Sequence, residues 1–202
     1  MRETHAVLTD PDRSELVQRA NAAPAAPAVH DSSVTTVYHY TEDGTLKRFA
    51  PHVPPTNPGH PPAVWAIDER HSPLYWFPRN CPRISVWAHD ADQQSRLTAI
   101  FETEATRLCA AETHWMLRVR DAKIYRYEFD ASQFRPWDDA DGQYISDDVI
   151  YPTRVEPMND LLAIHAAAQI ELRFTPRLGS LMDSILSSGL PFSFVRIRDA
   201  LR

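Results

Sequence analysis

Glycine is scarce in this chain. Five glycines in 202 residues leave no glycine-rich loop to cradle a phosphate, and no G-x-G-x-x-G or P-loop pattern occurs. That argues against a Rossmann dehydrogenase and against a nucleotide kinase. Cysteine is scarcer still. Cys81 and Cys109 alone make neither a disulfide framework nor an unaided zinc site, and they read as a reduced thiol pair. The nine histidines never fall at H-x-x-x-H or H-E-x-x-H spacing, so no metal is expected. No apolar run approaches the length of a membrane span. The first residues are polar and acidic and lack the apolar segment of a signal peptide. The expectation is a cytoplasmic protein with no membrane partner. Positive charge is not in excess either: the formal net charge is -6, which argues against nucleic acid as the main partner.

Proline is abundant instead, with seventeen residues, while a hydrophobic content of 43% and a charged content of 24% suit an ordinary globular protein. Residues 1–33 read as a tail, with a short helix over Glu15–Asn21 followed by an Ala/Pro-rich linker. A single globular domain is expected over residues 34–202. Within it, β-branched and aromatic runs predict strands at Thr35–Tyr40, Ala63–Ile67, Arg83–Ala88, Ile170–Phe174 and Pro191–Ile197. Apolar stripes predict helices over Gln94–Ala111 and from Pro157 to Gln169, with Glu156 at the positive end of the second. A third helix is expected to be capped by Thr175, with Pro176 in its first turn and Gly189 at its end. His114–Val119 and Ala122–Phe129 read as a hairpin, and Gln143–Ser146 and Val149–Val155 as extended pieces. The fold class is α+β: short, mostly antiparallel strands with about three helices.

Chemistry concentrates in Val64–Arg83, which packs two Trp, one Tyr, one Phe, three Arg and three Pro into twenty residues. Such a mixture suits a pocket wall, where rings supply area and a few polar groups supply orientation. Trp65, Tyr75 and Phe77 are the rings expected to line it. Arg79 and Arg83 stand four apart across Cys81, and two such forks in one cleft suit phosphate or carboxylate. Arg196, sharing a strand face with Arg198, can add a cation. Cys81 reads either as a thiol activated by these cations or as a small buried side chain between prolines. Period-two alternation in Val37–Thr41 sends Tyr38 and Tyr40 to one face of a strand and His39 to the other. His39 is then either a donor to a ligand hydroxyl or a structural imidazole. Thr41 ends the strand beside it.

The strand word Tyr38-His39-Tyr40-Thr41 resembles the opening of the ADP-ribosyltransferase-like fold, which includes RNA 2′-phosphotransferases and diphtheria-toxin-type enzymes. This resemblance implies a split sheet and NAD or a related nucleotide as substrate. It implies that His39 holds a ribose and that Tyr75 or Trp65 stacks on nicotinamide. A late carboxylate, Asp148 or Glu156, would then face the oxocarbenium-like cation. A closer resemblance covers nearly all of residues 37–200: the words YHYTED, VWAID, SPLYWFPRNCPR, RVEPMNDLL, IELRF and FSFVRIRDA resemble an uncharacterised bacterial family. That family implies a domain boundary and brings no mechanism.

The resulting expectation is a small enzyme acting at a glycosidic bond of a nucleotide, with Tyr38, Tyr40, Thr41, Phe77, Cys81 and Arg196 among its binding residues. Two other classes fit the same residues. One is a non-catalytic module whose aromatic wall recognises a small molecule or a partner loop. The other is a biosynthetic enzyme that clamps a carboxylated or phosphorylated metabolite with Arg79 and Arg83 and works through Cys81 or His39.

Overall fold

The computed structural model describes residues 33–54, 59–138 and 140–201. The expected tail and its Glu15–Asn21 helix lie outside the described residues. Ten strands follow in chain order: β1 (Thr36–Thr41), β2 (Val64–Ile67), β3 (Arg83–Trp87), β4 (Arg107–Glu112), β5 (Ile124–Asp130), β6 (Arg135–Pro136), β7 (Gln143–Ser146), β8 (Arg154–Met158), β9 (Glu171–Thr175) and β10 (Phe192–Val195). Four helices join them: α1 (Ala91–Phe101), α2 (Met116–Asp121), α3 (Leu161–Ala167) and α4 (Gly179–Ser188). The strands form two sheets, ordered β6-β7-β2-β1-β5-β8 and β10-β3-β4-β9. Every pairing is antiparallel except β4 with β9. This is the expected α+β class. Among the described residues no helix is long and apolar enough to cross a membrane.

Layering follows from which side chains each strand sends to each face. On the four-stranded sheet, Ile84, Val86, Leu108 and Ala110 pack under α1 and α4 with Leu97, Phe101, Met182 and Ile185. The opposite face carries Cys109 and Ala111, which pack with Phe77, Cys81, Trp115 and Leu161 toward the inner face of the six-stranded sheet. The outer face of the six-stranded sheet has its own core: Val37, Val64, Ala66, Tyr127, Phe129 and Tyr144, closed by Phe49 and Ile150 from the loops. Tyr127 ties that loop layer down. Its hydroxyl donates to Asp43 O at 2.9 Å and accepts from Leu46 N–H at 3.1 Å.

Several local expectations are overturned. The expected helix over Gln94–Ala111 ends at Phe101, where Glu102 takes a left-handed cap at φ 53°, and residues 107–112 form β4 instead. All six β4 residues are buried, and a strand buried on both faces loses the alternation that would distinguish it from a helix. Cys109 therefore sits in a strand and not on a helix. The expected hairpin arm at His114–Val119 is helical, a 3-10 turn leading into α2, with Trp115 and Val119 buried one turn apart. Glu156 and Pro157 do not begin a helix. They lie in β8 at the sheet edge, where a proline removes no required ladder bond. Helix α3 starts later, capped by the Asp160 carboxylate accepting from Ala163 N–H at 3.1 Å. Thr175 and Pro176 likewise fall before α4, whose cap is Leu178.

Candidate functional site

Antiparallel register places the functional side chains. Tyr40 stands opposite Arg126, Arg126 opposite Glu156, Tyr38 opposite Glu128, and Glu128 opposite Arg154. Each of these pairs shares a face, so two rows of polar groups run across β1, β5 and β8. This is the inner face, since Tyr38 and Tyr40 pack with Ile67, Leu74 and Trp87 toward the second sheet.

Arg126 organises the rows. One of its nitrogens, Nη2, donates to Glu156 Oε2 at 2.5 Å and lies 3.2 Å from Glu128 Oε1. Arg154 pairs with the other oxygen of Glu156. The Arg126 guanidinium lies 5.3 Å from the centre of the Tyr38 ring. Burial opposes the charge on Arg126, but the hydrogen bond and charge of Glu156, with Tyr40 and Glu128, hold its pKa above the ordinary value. The Tyr38 hydroxyl is pushed up by burial first, then by Glu69, Glu128 and Glu156, while Arg126 pulls it down. Glu128 and Glu156 thus pair with the guanidinium beside the Tyr38 ring, and Glu69 acts on the phenol by its charge. The side chains are part-exposed, 29% for Arg126 and 28% for Glu156, so the row opens to solvent at the sheet edge.

The ring-rich segment Val64–Arg83 is largely used in packing. Arg83 is 4% exposed and donates from Nε to Leu74 O at 2.7 Å and from Nη1 to Cys81 O at 3.1 Å. Its guanidinium sits over Tyr75 and Phe77, 5.7 and 5.4 Å from their ring centres. Arg79 stays exposed at the surface, with its backbone N–H donating to Glu42 Oε1 at 3.1 Å. The structure therefore does not bring the two guanidiniums to one cleft. Cys81 is not an activated thiol: burial pushes it up to about 12, outweighing the lowering by Arg83 and Arg118. Phe77 is core, and Trp65 is half-buried against His60 and Trp137, at 5.1 and 5.4 Å between ring centres. The Tyr75 hydroxyl faces Gln143 Nε2 at 3.4 Å.

His39 faces away from Tyr38 and Tyr40, as alternation required. Its Nδ1–H donates to Trp65 O at 2.9 Å, and its ring meets Phe49 edge-on at 5.1 Å. Burial lowers its pKa, with smaller contributions from the charges of His52 and Arg79. Thr41 Oγ1 accepts from Asp43 N–H at 3.2 Å. Asp148 is exposed beyond the end of β7, with its N–H directed at Ser146 Oγ, while Glu156 lies in β8 at the opposite edge of the sheet. Arg196 and Arg198 do not share a strand face: Arg196 follows β10 in the left-handed region at φ 58°, and Arg198 lies in a 3-10 turn.

The structure thus brings Tyr38, Tyr40 and Glu156 together, and leaves His39, Asp148 and Arg196 elsewhere. Arg126, Glu128 and Arg154 escaped sequence reasoning. Their signal was present as opposite charges two residues apart, Arg126 with Glu128 and Arg154 with Glu156, in two segments able to pair as strands. Among the described residues no three His, Cys, Asp or Glu side chains are grouped to hold a metal ion.

Residues 38–200 match the DUF6886 model, a family of unknown function, and the chain belongs to that family. No curated protein and no solved structure matches it.

Proposed function

We propose that the chain is an enzyme that binds NAD or a related nucleotide and acts at its glycosidic bond, with Glu156 facing the cation that develops at the sugar. The observation that carries this reading is the Glu156–Arg126–Glu128 row beside Tyr38 and Tyr40. Two carboxylates bonded to one guanidinium nitrogen are held close together. Paired carboxylates about 5 Å apart are the arrangement that works directly at an anomeric carbon. A positioned carboxylate stabilises an oxocarbenium-like centre without reorganising as the bond breaks. The leaving base departs with the bonding electrons, and water or another hydroxyl acceptor adds to the cation and releases its proton to solvent. Tyr38 and Tyr40 supply ring surface for a planar ligand. The resemblance of the Tyr38–Thr41 strand to ADP-ribosyltransferase-like enzymes supports NAD as the first ligand to test. In this reading His39 supports the sheet from behind and does not touch the ribose.

Incubation with NAD, with released nicotinamide measured by chromatography and binding measured by calorimetry, tests the proposal. Wild-type protein should bind and release nicotinamide. Glu156→Gln should still bind while turnover falls by about 10²–10³-fold, the usual cost of deleting one transition-state electrostatic partner. Folded wild-type protein that neither binds NAD at millimolar concentration nor releases nicotinamide rejects the proposal. Binding without turnover would assign the row to recognition instead.

A further inference from the structure

A second cluster of polar side chains lies where β2 and β3 end and β4 begins. Asp68 follows β2 and accepts from His71 twice, from the backbone N–H at 2.7 Å and from the imidazole Nδ1–H at 2.9 Å. That bond fixes the ring, and its buried Nε2 has no partner among the described residues. His71 is only 6% exposed. The ring fits there because residue 142 is glycine: a Cβ on Gly142 would stand 2.1 Å from His71 Nδ1.

Arg107, at the start of β4, is 8% exposed. Its guanidinium stacks on Trp87 at 4.8 Å and gives Nη2 to Arg70 O at 3.0 Å. Nη1 is buried and has no partner among the described residues. His89 lies 6.4 Å from His71 between ring centres. It meets a donor at each ring nitrogen: Trp87 Nε1–H at Nε2, 3.1 Å away, and the Arg70 guanidinium at Nδ1. An imidazole with a lone pair toward Trp87 carries its proton on Nδ1, so two N–H groups point at each other. Apart from the bare Nε2 of His71, the groups of the cluster are donors. Asp68 is already committed to His71, and Asp141 acts on His89 only by its charge. Burial lowers the pKa of His89, and Arg70, His71 and Arg107 lower it further against the charge of Asp141.

We propose that Arg70, His71, His89 and Arg107 form a binding site for a phosphoryl oxyanion. The buried His71 and Arg107 make its floor, and the exposed Arg70 and His89 its mouth. An oxygen between Arg70 and His89 accepts from both and separates the opposed N–H groups. A second oxygen takes the orphaned Arg107 Nη1. A third, as a P–OH, donates to the bare Nε2 of His71. A phosphoryl group offers three oxygens spread in space, whereas a carboxylate offers two in one plane. The site is separate from the Glu156 row, and neither proposal depends on the other.

Titration with inorganic phosphate and with pyrophosphate tests it, followed by calorimetry and by the imidazole nitrogen shifts of His71 and His89. Wild-type protein should bind, and both imidazoles should shift with phosphate but not with chloride. The Arg70→Ala/His89→Ala double variant changes only the exposed mouth, and its fold is checked by its melting curve. Its affinity should fall roughly tenfold or more, since each lost partner is a charge-assisted bond. Pyrophosphate binding more tightly than phosphate assigns the site to a phosphoryl group within a larger ligand; equal affinities assign it to free phosphate. No binding of either anion by folded wild-type protein, or unchanged binding by the double variant, overturns the proposal. Nicotinamide release is read separately, so failure here leaves the Glu156 test standing.

Discussion

Arg83 and Arg126 both sit on strands between the two sheets, and they do different work. Arg83 lies inside the most chemically crowded stretch of the chain, yet its partners are two main-chain carbonyls and two ring faces. Arg126 lies in β5, outside that stretch, and pairs with two carboxylates next to an open sheet edge. A sealed guanidinium bonded to carbonyls fixes the path of the chain, here the turn between Leu74 and Cys81. A half-open guanidinium bonded to side-chain carboxylates arranges groups that remain reachable from solvent. Density of functional groups in the sequence therefore pointed to a well-packed wall, and the candidate site lies beside it.

The largest effect at neutral pH should come from Arg83. Arg83→Met keeps the volume of the stem but leaves Leu74 O and Cys81 O unpaired in the interior. Each unmade buried bond costs about 1–3 kcal/mol, so the variant should lose about 3 kcal/mol. In a chain of this size that is a melting-temperature drop of roughly 10 °C. Urea unfolding at neutral pH measures it. A loss no larger than that of a surface arginine would erase the distinction between the two guanidiniums.

The same wall makes a second prediction, confined to alkaline pH. Burial raises Cys81 from 9.0 to about 12, so the folded state keeps a proton that the unfolded chain releases. Stability should therefore be flat below pH 9 and fall as pH rises from 9 toward 12, by up to about 1.4 kcal/mol per pH unit. Cys109 is raised too, by burial, and adds to the slope. Cys81→Ala should flatten the part due to Cys81 in unfolding curves collected across that range. An unchanged slope would mean that Cys81 ionises as freely folded as unfolded, and would return it to the list of reactive thiols.

Much of the fold was legible wherever a run of β-branched and aromatic residues stood out from its flanks. β1, β2, β3, β5, β7, β9 and β10 fall within a residue or two of the expected segments, and the opposed facing of His39 and Tyr38 follows from alternation alone. Legibility failed where burial removed the contrast, as in β4, and where a proline was read as a helix start although it lies on an edge strand, as in β8. The candidate site was half legible. Tyr38, Tyr40 and Glu156 were each identified, but Arg126 and Glu128 become meaningful only once β5 lies between β1 and β8. A pairing register joins residues more than eighty apart in the chain, and no local pattern carries it.

Arg126 itself should give the smallest change in stability and the most specific one. Its ion pairs are part-exposed, so Arg126→Met should cost less than about 1 kcal/mol at neutral pH. The substitution has a second consequence. It removes the cation between Glu128 and Glu156 and leaves two carboxylates facing each other with only Arg154 beside them. Like charges at short range raise the pKa of one partner. A carboxyl raised in the folded state binds a proton that the unfolded chain does not, so stability is recovered as pH falls through the raised value. The gap between wild type and variant should then narrow on acidification from pH 7 toward 5. The histidines titrate in both proteins and cancel in the difference. Paired urea unfolding curves at several pH values measure that gap. A gap independent of pH would show that the two carboxylates do not feel each other, and would remove the physical basis for treating Glu156 and Glu128 as one site.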